Sequence, residues 1–438
     1  MIFFIGIKGA GMASLACMLH DVGYEVMGSD IDKHIFTEDQ LHVRGIKIVP
    51  FLSTSFLPEW TIVVGNAFLD DFDEVKKAHA SANVRVIRYH HFLGELMAKY
   101  NSIAVSGSHG KTTTTSLVAK MLTYHHPSGY LIGDGQGHLS EDARDLVVEA
   151  CEYRHHFLAY HPQYAIITNI DWDHVDYFKT LESYVESFQL FAQTVSQHII
   201  ACGDDPLIRQ LKSSVPMTFY GFEDHNDVIA KNIIYQDGLT QFDLWVDGNF
   251  LSPFTLSLVG DHMVLNTLAT IALGLKLHIP LHDIQASLKD FKGAKRRFVQ
   301  EIVGDDVFID DYAHHPTEIK MTILAAKKAY PHKKIISIFK PHRVSRLVNF
   351  VDEFTSALAL SDHVYLVNFN SIDDYEDGYT QDIHYLSDRL SHASVIEEDM
   401  NAAHILAKHS PAVYLFMSSK DIYVLSDFLK EIKQTQLK

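Results

Sequence analysis

The stretch "SGSHGKTTTTSL", Ser106–Leu117, holds what a bound polyphosphate needs. Lys111 can neutralise the β- and γ-phosphates of ATP. The Thr112 hydroxyl can hold Mg2+, and a glycine loop lets backbone N–H groups close on phosphate oxygens. Gly107, Ser108, His109, Gly110 and Thr113 complete this loop. The usual phosphate loop places four residues between its two glycines. Here two residues separate Gly107 from Gly110, and Val105 stands where the first glycine would fall. The segment is therefore a variant nucleotide loop or a glycine turn that contains a lysine. A magnesium ion also needs carboxylates. "VVEACEY" supplies Glu149, followed by Glu152, and "TNIDWDHVDYF" gathers Asp171, Asp173, His174 and Asp176. Among 28 histidines, His174 alone would pass for a surface or capping residue, and its acidic company is what singles it out.

A second glycine loop, "GIKGAGM", contributes Gly6, Gly9 and Gly11, with Ala10 and Met12 beside them. Glycines there admit a diphosphate to a helix N-terminus. The spacing is G-x-x-G-x-G rather than the G-x-G-x-x-G of dinucleotide folds. Asp30, in "MGSD", could meet a ribose hydroxyl. The loop by itself fits a nicotinamide dinucleotide, a UDP-sugar, or tight strand–helix packing.

Strands must carry these loops. "IFFIG", "TIVVG", "SIAVSG", "DLVVEA" and "YAIITNI" read as buried strands, as do "VFIDDY", "KIISIF", "HVYLVNF" and "AVYLFM". Helical segments fall between them at 10–22, 111–123, 180–195, 263–277, 316–329 and 345–360. Strands apolar on both faces and separated by helices predict parallel sheets in α/β layers. Residues 226–258 alternate instead, which predicts a small antiparallel insert. Ligand sites in such sheets lie at the carboxyl ends of strands, where the loop at 106–112, Glu149 and the 171–176 cluster all fall.

Composition sets outer limits. A chain of 438 residues exceeds one ordinary core and predicts several domains. Its net charge of −18 opposes binding to nucleic acid or an anionic membrane surface. Three scattered cysteines form no disulfide framework, which suits a cytoplasmic setting. The apolar start lacks a basic leader and is broken by Lys8 and glycines, so a strand–turn–helix explains it better than a signal peptide. No run of about 20 apolar residues predicts a membrane span.

In order, "GSHGKTTTT", "TNIDWDHVDYF", "GDHMVLNTLA", "GAKRRF", "DDYAHHPTEI" and "FKPHRVSRL" resemble the motifs of the Mur ligases. The resemblance runs from Gly6 to the last strand. The family uses a shortened phosphate loop, which accounts for the spacing at Gly107 and Gly110. It implies three α/β domains, 1–97, 98–294 and 295–438. These would be a Rossmann-like UDP-sugar domain, a central ATPase domain, and a Rossmann-like domain that handles the amino acid. The implied activity joins L-alanine to the lactyl carboxylate of UDP-N-acetylmuramate, with ATP and Mg2+, in peptidoglycan synthesis. By position, Lys111 and Thr112 match the phosphate lysine and magnesium hydroxyl, and Glu149 and His174 the metal-associated pair. His262 and Asn266 match residues near the nucleotide, Asn266 at the adenine, and Arg297 would reach ATP from the hinge. Asp311, Tyr312 and His314 match a segment facing ATP and substrate. His342, Arg343 and Arg346 match residues that handle the amino acid and the reacting carboxylate. A monomer or weak homodimer is expected. Lys340, Leu347, Met263 and the turn "FMSSKDI" depart from the family pattern, mostly in the region expected to choose the acceptor. Competing readings are a related ligase that attaches a recycled tripeptide to the same sugar, an NAD-dependent oxidoreductase and a nucleotide-binding regulator.

Overall fold

The computed structural model describes residues 1–236, 238–369 and 378–436. Three sheets follow one another along the chain. The first is fully parallel, in the order Lys47–Pro50, Val26–Asp30, Ile2–Ile5, Thr61–Val64, Arg85–Arg88. The four residues Ile2–Ile5 are all buried because both faces are covered. Phe3 and Ile5 pack with Phe56, Ile62 and Val64, while Ile2 and Phe4 face the larger core. Strand order reverses at Ile2–Ile5, and the crevice opens at its carboxyl end, where the first glycine loop begins.

The middle sheet has ten strands. At its centre Asn101–Ser106 pairs in parallel with Asp145–Glu149 on one side and Tyr164–Ile167 on the other. The three polar clusters therefore leave the same end of three adjacent strands. Residues 226–258, expected as a small insert, form the three strands Val228–Gln236, Leu239–Val246 and Asn249–Leu256. These continue the same sheet, because Val228–Gln236 pairs in parallel with Met217–Gly221.

The third sheet has six strands, with Ala412–Met417 between Asp306–Asp311 and Lys334–Phe339 in parallel register. Its successive residues also alternate between two cores, Tyr414 and Phe416 on one side and Val413, Leu415 and Met417 on the other. The helix expected over 345–360 breaks at Phe350 into Val344–Asn349 and Val351–Leu358. The carboxyl ends of these strands face the loops of the middle sheet. No helix among the described residues is long and apolar enough to cross a membrane.

Candidate active site

The helix Lys111–His125 begins directly behind the phosphate loop. Gly110 has φ +81°, a left-handed conformation that glycine adopts without strain, and a Cβ there would collide with Asn266. Asn266 is thus packed on the phosphate loop. The first intrahelical bond is Thr114 N–H to Gly110 O, at 2.9 Å, so the N–H groups of Lys111, Thr112 and Thr113 remain for a ligand. The four threonines have divided roles. Thr112 donates to Glu149 Oε1 at 3.1 Å, whereas Thr115 donates back to Lys111 O at 2.8 Å inside the helix. Thr114 and Thr115 are fully buried.

Lys111 Nζ lies 2.5 Å from Gly107 O, 2.9 Å from Ser108 O and 3.0 Å from Glu152. Burial alone would lower the lysine pKa, but the neighbouring acids, Glu152 foremost and Glu149 with it, together outweigh burial, so Lys111 stays charged. Glu149 is pushed above the usual carboxylate range by burial, against the pull of Lys111. A hydroxyl and a carboxylate oxygen 3.1 Å apart suit a hard cation, and Thr112 and Glu149 fit magnesium on that chemistry. His174 joins through Glu152, its Nε2 3.4 Å from Oε1. Its backbone φ is +53°, an uncommon conformation for a residue with a Cβ, of the kind that collects at functional sites.

The third domain closes this site through ion pairs. Arg346 Nη2 and Nε contact Asp173 Oδ1 at 2.7 and 3.0 Å. Burial would raise the Asp173 pKa, but the Arg346 charge holds it well below its ordinary value. Arg343 pairs with Asp176 at 2.9 Å, and Tyr153 donates to the same acid at 2.7 Å. Arg343 and Arg346, expected to handle the amino acid, therefore also bind the loop that carries His174. His109 reaches the seam as well, with Nε2 2.9 Å from Asp171 Oδ2 and Nδ1 3.5 Å from Glu318 Oε1. Burial opposes its charge, yet the bonds to Asp171 and Glu318 raise its pKa to about 9. Ser108 Oγ lies 2.9 Å from the Tyr184 hydroxyl and accepts from Asp171 N–H, so its side chain braces the loop.

Arg297 is half-buried, 3.5 Å from Glu318, and its charge acts on Glu149 across the cleft. Its guanidinium lies over the Tyr312 ring. His314 pairs with Glu318 at 3.2 Å. Asp311 accepts from Phe298 N–H and Ala313 N–H at 2.9 and 2.8 Å, and burial lifts its pKa to about 6. Burial lowers His262 to about 4, and its Nδ1 has no hydrogen-bond partner among the described residues. His342 Nδ1 lies 3.0 Å from Ser419 Oγ, and burial with the Lys420 charge lowers its pKa to about 3. Leu347 and Met263 are core residues, and Lys340 pairs with Glu398.

At the first glycine loop, Ala13 N–H makes the first helical bond, to Gly9 O, which leaves Ala10, Gly11 and Met12 N–H facing the crevice. Gly6 has φ +82°, and a Cβ there would meet the Phe68 ring. Asp30 also shapes its own loop. Its two oxygens accept from Lys8 N–H at 2.7 Å and Ile31 N–H at 2.8 Å, holding the loop in shape. Tyr89, which carried no motif, crosses to Gly11; burial, with Cys151 and Glu149 nearby, keeps its hydroxyl protonated. The first glycine loop and Glu149 are therefore neighbours.

Comparison with known proteins matches this arrangement. Residues 1–101 match the model described as Mur ligase family, catalytic domain. Residues 105–274 match the Mur ligase middle domain, and 296–419 the Mur ligase, glutamate ligase domain. The chain is similar to the UDP-N-acetylmuramate–alanine ligase of Thermotoga maritima, with 25% identity, 99% of each chain covered and a TM-score of 0.81. It shares its fold with a murein peptide ligase of Psychrobacter arcticus, at 22% identity, 99% and 98% coverage and a TM-score of 0.70. It also shares the fold of a MurF ligase of Thermotoga maritima in complex with ADP, at 17% identity, 95% and 97% coverage and a TM-score of 0.68.

Proposed function

The chain belongs to the Mur ligase family, and from that premise we propose that it joins L-alanine to the lactyl carboxylate of UDP-N-acetylmuramate at the expense of ATP. The observation that carries this reading is the convergence of Lys111, the Thr112–Glu149 pair and His174 at the ends of three adjacent strands. The first domain, 1–97, would hold the UDP diphosphate on the N–H groups of Ala10, Gly11 and Met12. The central domain, 98–294, would bind the ATP phosphates on the loop Gly107–Thr113, with Asn266 bracing Gly110 and His262 beside the nucleotide. Arg297 brings a second cation to the phosphates. Magnesium, when bound at Thr112 and Glu149, supplies the positive charge that phosphoryl transfer demands.

The lactyl carboxylate then attacks the γ-phosphorus, its oxygen forming a bond as the bond to ADP breaks, which leaves an acyl phosphate. Lys111 and Arg297 offset the charge spread over the transferred group. The amine of the amino acid attacks the acyl carbon and loses a proton, and phosphate departs. His342, kept neutral by burial, can accept a hydrogen bond from that amine. Ion pairs at Arg343 and Arg346 hold the third domain, 295–438, over the reacting groups and keep water out.

The likeness to the Thermotoga maritima alanine ligase supports L-alanine as acceptor. The changed turn Ser418–Lys420, beside His342, keeps a peptide acceptor as the second reading. An oxidoreductase reading leaves the phosphate loop and the Thr112–Glu149 pair without a role. The test is to incubate the protein with ATP, Mg2+ and UDP-N-acetylmuramate, supplying L-alanine, glycine, L-serine or the murein tripeptide in turn. Mass spectrometry should find the alanyl amide in excess. A product formed with the tripeptide alone overturns the alanine assignment, and no product with any acceptor overturns the ligase.

A further inference from the structure

Glu152 is fully buried, and two of the functional side chains run through it. Its carboxylate meets Lys111 Nζ at 3.0–3.1 Å, His174 Nε2 at 3.4 Å and the Tyr184 hydroxyl at 3.3 Å. Tyr184 in turn bonds Ser108 in the phosphate loop at 2.9 Å. A carboxylate with no exposure needs a charged partner, and Lys111 is that partner. The same lysine is folded back on the Gly107 and Ser108 carbonyls at 2.5 and 2.9 Å, so it is held between its own loop and Glu152.

We propose that Glu152 is a positioning residue that parks Lys111 and orients His174, so that an incoming polyphosphate must compete with it for the lysine. The proposal rests on the nucleotide-site reading above. It makes two effects of opposite sign. Removing the Glu152 charge frees Lys111 to grip phosphate more tightly. It also loosens both Lys111 and His174, and loss of alignment slows phosphoryl transfer. An acid with a merely structural part would, on removal, weaken binding and turnover together.

The experiment compares wild type with Glu152→Gln, which keeps the size and the Tyr184 contact, and Glu152→Asp, which keeps the charge on a shorter arm. MgADP affinity is read by titration calorimetry, and turnover by steady-state phosphate release. Glu152→Gln should bind MgADP about three- to tenfold more tightly, the worth of one competing hydrogen bond. Its kcat should fall about 10- to 100-fold, as when the partner of a site histidine is removed. Glu152→Asp should return the MgADP affinity to that of wild type and recover part of the turnover. Weaker MgADP binding in Glu152→Gln, or unchanged turnover, overturns the proposal. Wild-type protein that binds no MgADP overturns the phosphate-loop reading itself, and the proposal falls with it. Lys111→Ala, which should lose that binding, identifies which of the two has failed.

Discussion

Replacing Arg346 by Met breaks an ion pair buried on both sides. The Asp173 and Arg346 side chains are each 8% exposed and meet at 2.7 Å. Stranding a carboxylate in such a place costs about 3–5 kcal/mol. Asp173→Asn strands the guanidinium at a similar cost. The double variant removes both charges together, so its loss should fall short of the sum by at least about 2 kcal/mol. Trp172 offers a local readout, because its ring lies edge-on to Phe350 across the same seam at 5.8 Å. With Trp60 and Trp245 changed to Phe, emission from Trp172 follows the opening of the seam in urea. Each single variant should open at lower urea than wild type, and the double variant between them and wild type. The folded Asp173 pKa is depressed, so the pair's contribution is present above the unfolded carboxylate value and is lost as pH falls through the folded one. Single variants that open where wild type does, or losses that simply add, would refute the reasoning.

The remaining predictions concern the loops. Lys111→Ala should lower kcat on the order of 10²- to 10³-fold, as loss of one transition-state donor does, with circular dichroism unchanged. The His109 pKa is raised to about 9, so its contribution to the seam is fully present below the unfolded histidine value of about 6.5. That contribution is lost as pH rises through about 9, and His109→Gln should flatten the urea midpoint of Trp172 emission across this range. Gly6→Ala forces a Cβ into a left-handed backbone against Phe68, costing about 1–2 kcal/mol before any steric term. It should weaken binding of the UDP-sugar in calorimetry and spare MgADP.

Much of this architecture was legible because chemistry and strand ends coincide. Buried apolar runs such as "IFFI" and "AVYLFM" need no partner to be read as strands, and each functional cluster follows one directly. Edge strands were harder. Lys47–Pro50 and Arg85–Arg88 are only four residues long, with two central apolar residues and no fully buried position. Ser128–Leu131 contains a glycine that lowers its strand propensity, and Gly137–Leu139 is three residues long. The antiparallel segment was visible from its alternation, but its join to the parallel sheet was not, since register is a property of pairs. The break at Phe350 was also hidden, because no proline or glycine marks it. Within the site, Lys111, Thr112 and Glu149 could be read from local pattern. The partners of Arg346 and His109 could not: Asp173 is 173 residues from Arg346, and Asp171 is 62 from His109. The bonds from Lys8 and Ile31 N–H to Asp30, which shape the first glycine loop, were equally hidden in the sequence.

The most direct test of the ligase assignment is phosphate release from ATP and Mg2+, with UDP-N-acetylmuramate and L-alanine each present or absent. Release that requires both, and that disappears in Lys111→Ala, is the predicted result. Release that is indifferent to the sugar nucleotide, or that survives without Lys111, would contradict the assignment.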